Sequence, residues 1–334
     1  MTAIKTDSIT KRFGEDVVAV DSLDLQVEEG EVFGFLGPNG AGKSTTIDML
    51  LDYVRPTEGT ATVLGMDVHE ESEALREHIG VLPDGVGLYD RLTGRRHLEF
   101  AIDWKSAADD PDRILDRVGL GGRDAARPVG DYSKGMAQRL ALGMALVGDP
   151  DLLILDEPSS GLDPNGIRQM RELVREEAER GTTVFFSSHI LGQVEAVCDR
   201  VGILSEGELV AVDTVEDLRK TVGAGSEIRL HLTDEAGGDP DRLAADLGGV
   251  DSARLTDGLL RVECANSSAK ARVVTRLTND GVDILDIDAE EVSLEEVFTA
   301  YTRDSGVLES DERDGSEDDA DEPAEIESAS GVSG

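Results

Sequence analysis

Lysine is scarce in this chain: only seven of its 32 basic residues are lysines, at positions 5, 11, 43, 105, 134, 220 and 270. Basic charge is itself in short supply, since 71 acidic residues leave a formal net charge of −39. Nucleic-acid phosphates require a basic footprint, so general nucleic-acid binding is disfavoured. Residues 304–334 hold 12 Asp/Glu and one Arg, yet the rest of the chain is also strongly negative. Such a surface fits a salt-rich cytoplasm, where screening removes self-repulsion, or an acidic partner-binding face. Cysteine is limited to Cys198 and Cys264, which excludes a disulfide framework and points to a reducing compartment. Five histidines, at 69, 78, 97, 189 and 231, show no metal-binding spacing. No apolar run approaches 18 residues and no signal peptide opens the chain. A membrane role is therefore expected only through a partner.

A length of 334 residues suggests about two domains. Residues 1–212 alternate strand and helix signals. Strands are expected at 4–9, 17–27, 31–36, 60–65, 79–83, 152–157, 183–188, 201–206 and 208–213. Helices are expected at 44–54, 70–78, 94–104, 111–118, 134–147, 165–180, 190–198 and 214–220. LLILDE and TVFFSS are continuous apolar runs, as in strands buried on both faces of a parallel sheet. The N-terminal hairpin supplies an antiparallel edge. Small residues at 221–226 (TVGAGS) mark a linker. Beyond it the pattern is β-α-β-β-α-β, with a helix at 240–247, a hairpin at Asp257-Gly258, a helix at 267–279 and a closing helix at 293–302. That is a ferredoxin-like order. The tail after Arg303 is too polar to bury a core, and disorder is expected there.

Gly37, Gly42, Lys43 and Ser44, in GPNGAGKST, fit G-x-x-x-x-G-K-[ST]. Glycines let backbone N–H groups converge on an anion, and the following helix adds its positive N-terminal end. Lys43 reaches β- and γ-phosphates and the Ser44 hydroxyl ligates Mg²⁺. A chance glycine-rich turn is the bland reading, but a buried strand before the loop and a helix after it favour a nucleotide site. Leu152–Glu157 ends in two carboxylates. Asp156 is placed to hold Mg²⁺, and Glu157 to polarise the water that attacks the γ-phosphate. Taken alone, the pair would be an acidic strand end in an acidic protein.

DYSKGMAQRL (131–140) precedes this strand and SSHI (187–190) follows it. With the phosphate loop and LLILDEPSSGLDP in that order, residues 1–220 resemble the ATP-binding subunit of an ABC transporter. The resemblance implies an α/β P-loop NTPase cassette with a mixed sheet core, an antiparallel β edge and a helical subdomain at about 85–150. A small α+β ferredoxin-like domain at 221–303 and the acidic tail at 304–334 complete the chain. It implies that Gly37, Pro38, Asn39, Gly40, Ala41, Gly42, Lys43, Ser44 and Thr45 hold the ATP phosphates. It implies further that Ser133, Lys134, Gly135 and Met136 form the signature turn, here SKGM rather than the commoner SGGQ. In the family this turn meets the γ-phosphate bound by a second subunit. His189 corresponds to the switch histidine that contacts the γ-phosphate; alone, such a residue is more often structural. Asp163 lies in the loop that crosses the dimer interface. Phe13 stands where the family places an aromatic on adenine, and a core ring is the other reading. Catalysis would fall to Glu157, His189 and Lys43, and Mg²⁺ to Ser44, Asp156 and Asp84. Asp84 is a departure, since the family usually carries Gln there, at the start of the coupling loop 82–92.

Residues 221–303, closing on SLEEVFTAYT, resemble the C-terminal extension of ABC-2-type export ATPases. The implied activity is ATP hydrolysis with ATP and Mg²⁺, in a head-to-tail homodimer that energises a separate ABC-2-type permease from the cytoplasmic face. A soluble ABC ATPase of translation or repair would have tandem cassettes or coiled-coil arms, and neither is present. A regulatory ATP-binding module without transport is the remaining alternative, raised by Asp84.

Overall fold

The structure is a computed structural model that describes residues 1–14, 16–85, 87–221, 226–233, 242, 247–264, 267–289 and 294–303. The expected linker centre, most of the helix at 240–247 and the tail at 304–334 lie outside the described residues.

The cassette is built on two sheets. The antiparallel sheet joins β1 (Thr2–Phe13), β2 (Val17–Leu23), β3 (Gln26–Glu28), β5 (Glu58–Val63) and β6 (Met66–Asp67). Its order is β2-β1-β5-β6, with β3 also on β1. One strand was expected over 17–27. Two form: β2 pairs with β1 as far as Leu23, with a left-handed Ser22 (φ 47°) near its end, and β3 resumes at Gln26. The second sheet has the order β11-β10-β4-β9-β8-β7. It comprises β4 (Val32–Leu36), β7 (Ile79–Leu82), β8 (Leu152–Asp156), β9 (Thr183–Ser188), β10 (Arg200–Ser205) and β11 (Glu208–Asp213). All its pairings are parallel except β10 with β11.

Pleating sends alternate residues of these strands into two cores. Phe33, Phe35, Ile154 and Phe185 pack toward α1 (Lys43–Leu50) and the antiparallel sheet. Leu36, Leu153, Leu155 and Phe186 face the helical side. Both faces are dry, which is why the strands read as unbroken apolar runs. Each such side chain contributes about 1.5–3 kcal/mol of transfer free energy. On the helical side lie α3 (Gly94–Lys105), α4 (Pro111–Arg117) and α5 (Lys134–Ala145), preceded in the chain by the short α2 (Ser72–His78). The segment α6 (Pro164–Glu179) covers β9, and α7 (Leu191–Glu195) and α8 (Val215–Thr221) follow.

The C-terminal sheet is fully antiparallel with the order β13-β14-β12-β15. Its strands are β12 (Ser226–Leu232), β13 (Val250–Thr256), β14 (Leu259–Cys264) and β15 (Ile284–Ala289). The β13–β14 hairpin turns at Asp257-Gly258, where both φ angles are positive, as the dipeptide predicts. Ala269, Val273 and Leu277 of α9 (Ser267–Asn279) are fully buried against this sheet. The closing helix, α10 (Leu294–Arg303), packs elsewhere. Its Val297 is fully buried in the cassette core with Val194 and Leu218, and Phe298 and Tyr301 lie against the same cluster. The helix thus docks on α7, α8 and β11. Both cysteines are free.

Candidate functional site

The parallel sheet delivers three loops to one place. The first leaves β4 at Gly37. Gly42 has φ 105°, and a Cβ there would stand 2.4 Å from the carbonyl oxygen of Ala19. A Cβ on Gly37 would stand 2.6 Å from that of Leu204. Glycine is required at both positions by space, and at Gly42 also by conformation. Gly42 is the N-cap of α1 and offers no side chain to the first-turn N–H groups, so the helix start is free to receive an anion. Pro38, Asn39 and Gly40 are exposed at the rim of the loop, and Ala41 is buried beneath it.

Lys43 is buried, and its Nζ donates to the carbonyls of Gly37 (2.7 Å) and Pro38 (3.2 Å). It stands 3.7 Å from Glu157 Oε1. Burial pulls the ammonium pKa below the usual lysine range, while Glu157, Asp156 and Asp84 oppose that fall. Three carboxylates therefore act on one ammonium.

The second loop leaves β8. Asp156 is buried; its carboxylate accepts from Ser44 Oγ at 2.9 Å and from Ser187 Oγ. Glu157 follows with φ 47°, an uncommon left-handed conformation for a residue with a side chain. That twist sends its carboxylate to His189, whose Nδ1 lies 2.8 Å from Oε1. Ser187 Oγ also accepts the Glu157 N–H at 3.2 Å. One hydroxyl on β9 thus fixes both acidic residues. Gln138 of α5 is buried and donates to the carbonyls of Glu157 and Pro158 at 3.5 and 3.3 Å. Neither Ser187 nor Gln138 stands out in the sequence as a site residue. Ser187 lies within the SSHI motif, but its role depends on cross-strand pairing with Asp156.

The third loop carries Asp84, exposed beyond β7. Asp84, Asn39, Glu157, Ser160 and His189 line a common cleft of about 430 Å³. Ser44 and Asp156 are hydrogen-bonded partners, whereas Asp84 lies with Glu157 and His189 in the cleft lining. Thr45 is half-buried in the same turn as Ser44.

The signature residues stand at the start of α5. Ser133 caps it, accepting from the Met136 N–H at 3.2 Å. Ser133 and Lys134 are exposed, while Gly135 and Met136 are half-buried. A Cβ on Gly135 would come within 3.0 Å of the Gly161 carbonyl oxygen, so this turn lies directly on the SSGLD loop. Asp163 caps α6 through the Gly166 N–H at 2.7 Å. Phe13, at the end of β1, is 47% exposed and lies under the Lys11 ammonium, 5.1 Å from the ring centroid. Of the two readings of Phe13, a core ring is overturned, since the chain leaves it facing solvent.

The donor set fits a magnesium nucleotide: unshared helix-start amides, a buried ammonium, and a hydroxyl already paired with a buried carboxylate. Comparison with known proteins agrees. The ABC transporter model matches residues 20–160, and the model for the C-terminal domain of DrrA1-3-like ATP-binding proteins matches 214–302. The bacitracin transport ATP-binding protein BcrA of Bacillus licheniformis is 37% identical over 303 residues, covering 89% of this chain and 96% of that one. The daunorubicin/doxorubicin resistance ATP-binding protein DrrA of Streptomyces peucetius is 35% identical, covering 90% and 92%. Among solved structures, an ATP-binding subunit of an ABC transporter aligns with a TM-score of 0.61 at 28% identity, covering 66% of this chain and 94% of that one. A dimeric ATP-binding cassette in a post-hydrolysis state with ADP and Pi aligns at 0.59 and 25% identity, covering 64% and 98%. The chain belongs to the ABC transporter ATP-binding protein family, in the branch that includes BcrA and DrrA.

Proposed function

We propose that this ATP-hydrolysing transporter subunit works as a head-to-tail dimer on an ABC-2-type permease, in a salt-rich cytoplasm. The observation that carries the catalytic reading is the Lys43–Glu157–His189 chain beside the Ser44–Asp156 pair. Glu157 Oε1 takes the proton of the attacking water and His189 Nδ1 orients that carboxylate. Lys43 meets the β- and γ-phosphates, exchanging its loop carbonyls for an anion. Mg²⁺, held by Ser44 and Asp156, supplies charge neutralisation at the phosphates when bound. Asp84 faces the same cleft as a third oxygen donor. Phe13 stacks on the adenine, and Ser133, Lys134, Gly135 and Met136 close on the partner's triphosphate beside the Asp163 loop.

No helix among the described residues is long and apolar enough to cross a membrane. Transport therefore falls to a partner. Its docking place is an apolar cleft of about 410 Å³ between the sheet and the helical side, lined by Leu51, Ile79, Ala101 and Met144 and edged by Tyr53, Phe100 and Trp104. Trp104 is 81% exposed. Large aromatics left in water at one cleft mark an interface. The resistance functions named for DrrA and for the linearmycin resistance protein LnrL of Bacillus subtilis support outward transport. The testing experiment is phosphate release from ATP in molar KCl with Mg²⁺. The chain should turn over and Lys43→Ala should not; equal rates would overturn the site.

A further inference from the structure

Beside the cleft, Gln193 Oε1 and Arg171 Nε are shut away from water with no hydrogen-bond partner among the described residues. The first is an acceptor and the second a donor. Gln193 is 5% exposed and sits on α7, shortly after His189. It lines the cleft together with Glu157 and His189. Arg171 belongs to α6, and its Nη2 donates at 3.1 Å to the carbonyl of Gly192, the residue before Gln193. Ile167 lines the cleft with Gln193. It stands one turn before Arg171 on the same face of α6, and helical side chains lean toward the N-terminal turn. Arg171 is thus directed at the wall that Gln193 occupies. Buried polar atoms left unpaired are costly and uncommon. These two are complementary, and they lie on elements already joined at Gly192. Asp163 caps α6, and α7 starts just after His189, so the junction ties the SSGLD loop to the histidine.

We propose that Gln193 and Arg171 are a positioning pair for hydrolysis: with ATP bound, Arg171 Nε donates to Gln193 Oε1 and locks α7 to α6. The assignment rests on the catalytic reading of Glu157 and His189 given above. The guanidinium already holds α7 through the Gly192 carbonyl. A small turn of the carboxamide or of α7 adds the second bond. Two bonds from one planar group fix orientation as well as distance. Fixing α7 fixes the chain just before it, where His189 Nδ1 meets Glu157 Oε1 at 2.8 Å. The pair touches no phosphate and acts on the reaction through those two residues. Because the bond is made in the loaded site, it shows in turnover rather than in the stability of the unliganded fold.

The test is steady-state phosphate release by the full-length chain in molar KCl with MgATP, beside thermal melting without nucleotide. Gln193→Leu should lower kcat about tenfold while KM for ATP stays within about twofold. It should not lower the unliganded melting temperature, because an apolar side chain leaves no acceptor unpaired there. Arg171→Lys still reaches Gly192 but has no N–H at the Nε position, and it should lose the same factor. The double variant should match either single within about twofold, since one and the same bond is missing in all three. Unchanged kcat in Gln193→Leu overturns the proposal, as does an about hundredfold loss in the double variant, the product of two independent effects. A fall in the unliganded melting temperature of Gln193→Leu also overturns it, because the side chain would then be structural. The two readings fail separately. Native-like turnover by Lys43→Ala overturns the catalytic site itself, whereas an inert Lys43→Ala beside a native-like Gln193→Leu overturns the pair alone.

Discussion

Lys43 sets the electrostatic balance of the site. Burial holds its pKa down, so the nucleotide-free protein keeps the ammonium at a cost. Phosphate charge raises that pKa, and ATP binding should therefore take up protons as the pH rises toward the lowered value. Calorimetry of ATP binding at alkaline pH, in buffers of different ionisation enthalpy, should show uptake that Lys43→Met abolishes; buffer-independent heats would contradict it. Ser187 is the second residue to examine. It holds both Asp156 and Glu157, so Ser187→Ala should lower kcat about tenfold through two loosened carboxylates while ATP still binds. An unchanged kcat would remove it from the machinery. The phosphate loop and LLILDE are legible in the sequence because each is a contiguous run whose spacing is its chemistry. Ser187 and Gln138 are not, because their roles arise from strand register and from where α5 meets the loop that follows β8. The left-handed twist of Glu157 has no signal in its residue type.

Among the elements, β4 and β8 were legible because burial on both faces makes Val32–Leu36 and Leu152–Leu155 unbroken runs of apolar residues and glycine. The division of β2 from β3 was hidden, since the residues 17–27 read as one run although pairing stops at Leu23 and resumes at Gln26. The docking of α10 was also hidden. Its apolar positions Val297, Phe298 and Tyr301 announce a buried stripe but not the partner that buries it. Because Val297 sits in the cassette core, Val297→Asp should destabilise the cassette by about 3 kcal/mol or more. Denaturant unfolding followed by cassette fluorescence reads this directly; loss confined to the C-terminal sheet would contradict the docking. The aromatic rim of α3 gives a second test. Replacing Phe100 and Trp104 with Ser should abolish co-purification with the permease while phosphate release by the isolated chain persists. Retained co-purification would place the permease elsewhere.

At the scale of the whole molecule, a net charge of −39 makes self-repulsion the dominant long-range force. In the proposed head-to-tail dimer each subunit contributes half of two nucleotide sites, so two strongly acidic bodies would have to approach face to face. Salt that screens them should raise both the melting temperature and the extent of ATP-driven closure. On that proposal, nucleotide and magnesium would join the faces, and hydrolysis through Glu157 would release them. The most direct measurement is the light-scattering mass of the Glu157→Gln chain in molar KCl with saturating MgATP. Twice the 35.7 kDa chain mass, reverting to one on exchange into MgADP, is the predicted result. A single-chain mass under both nucleotides would contradict the account.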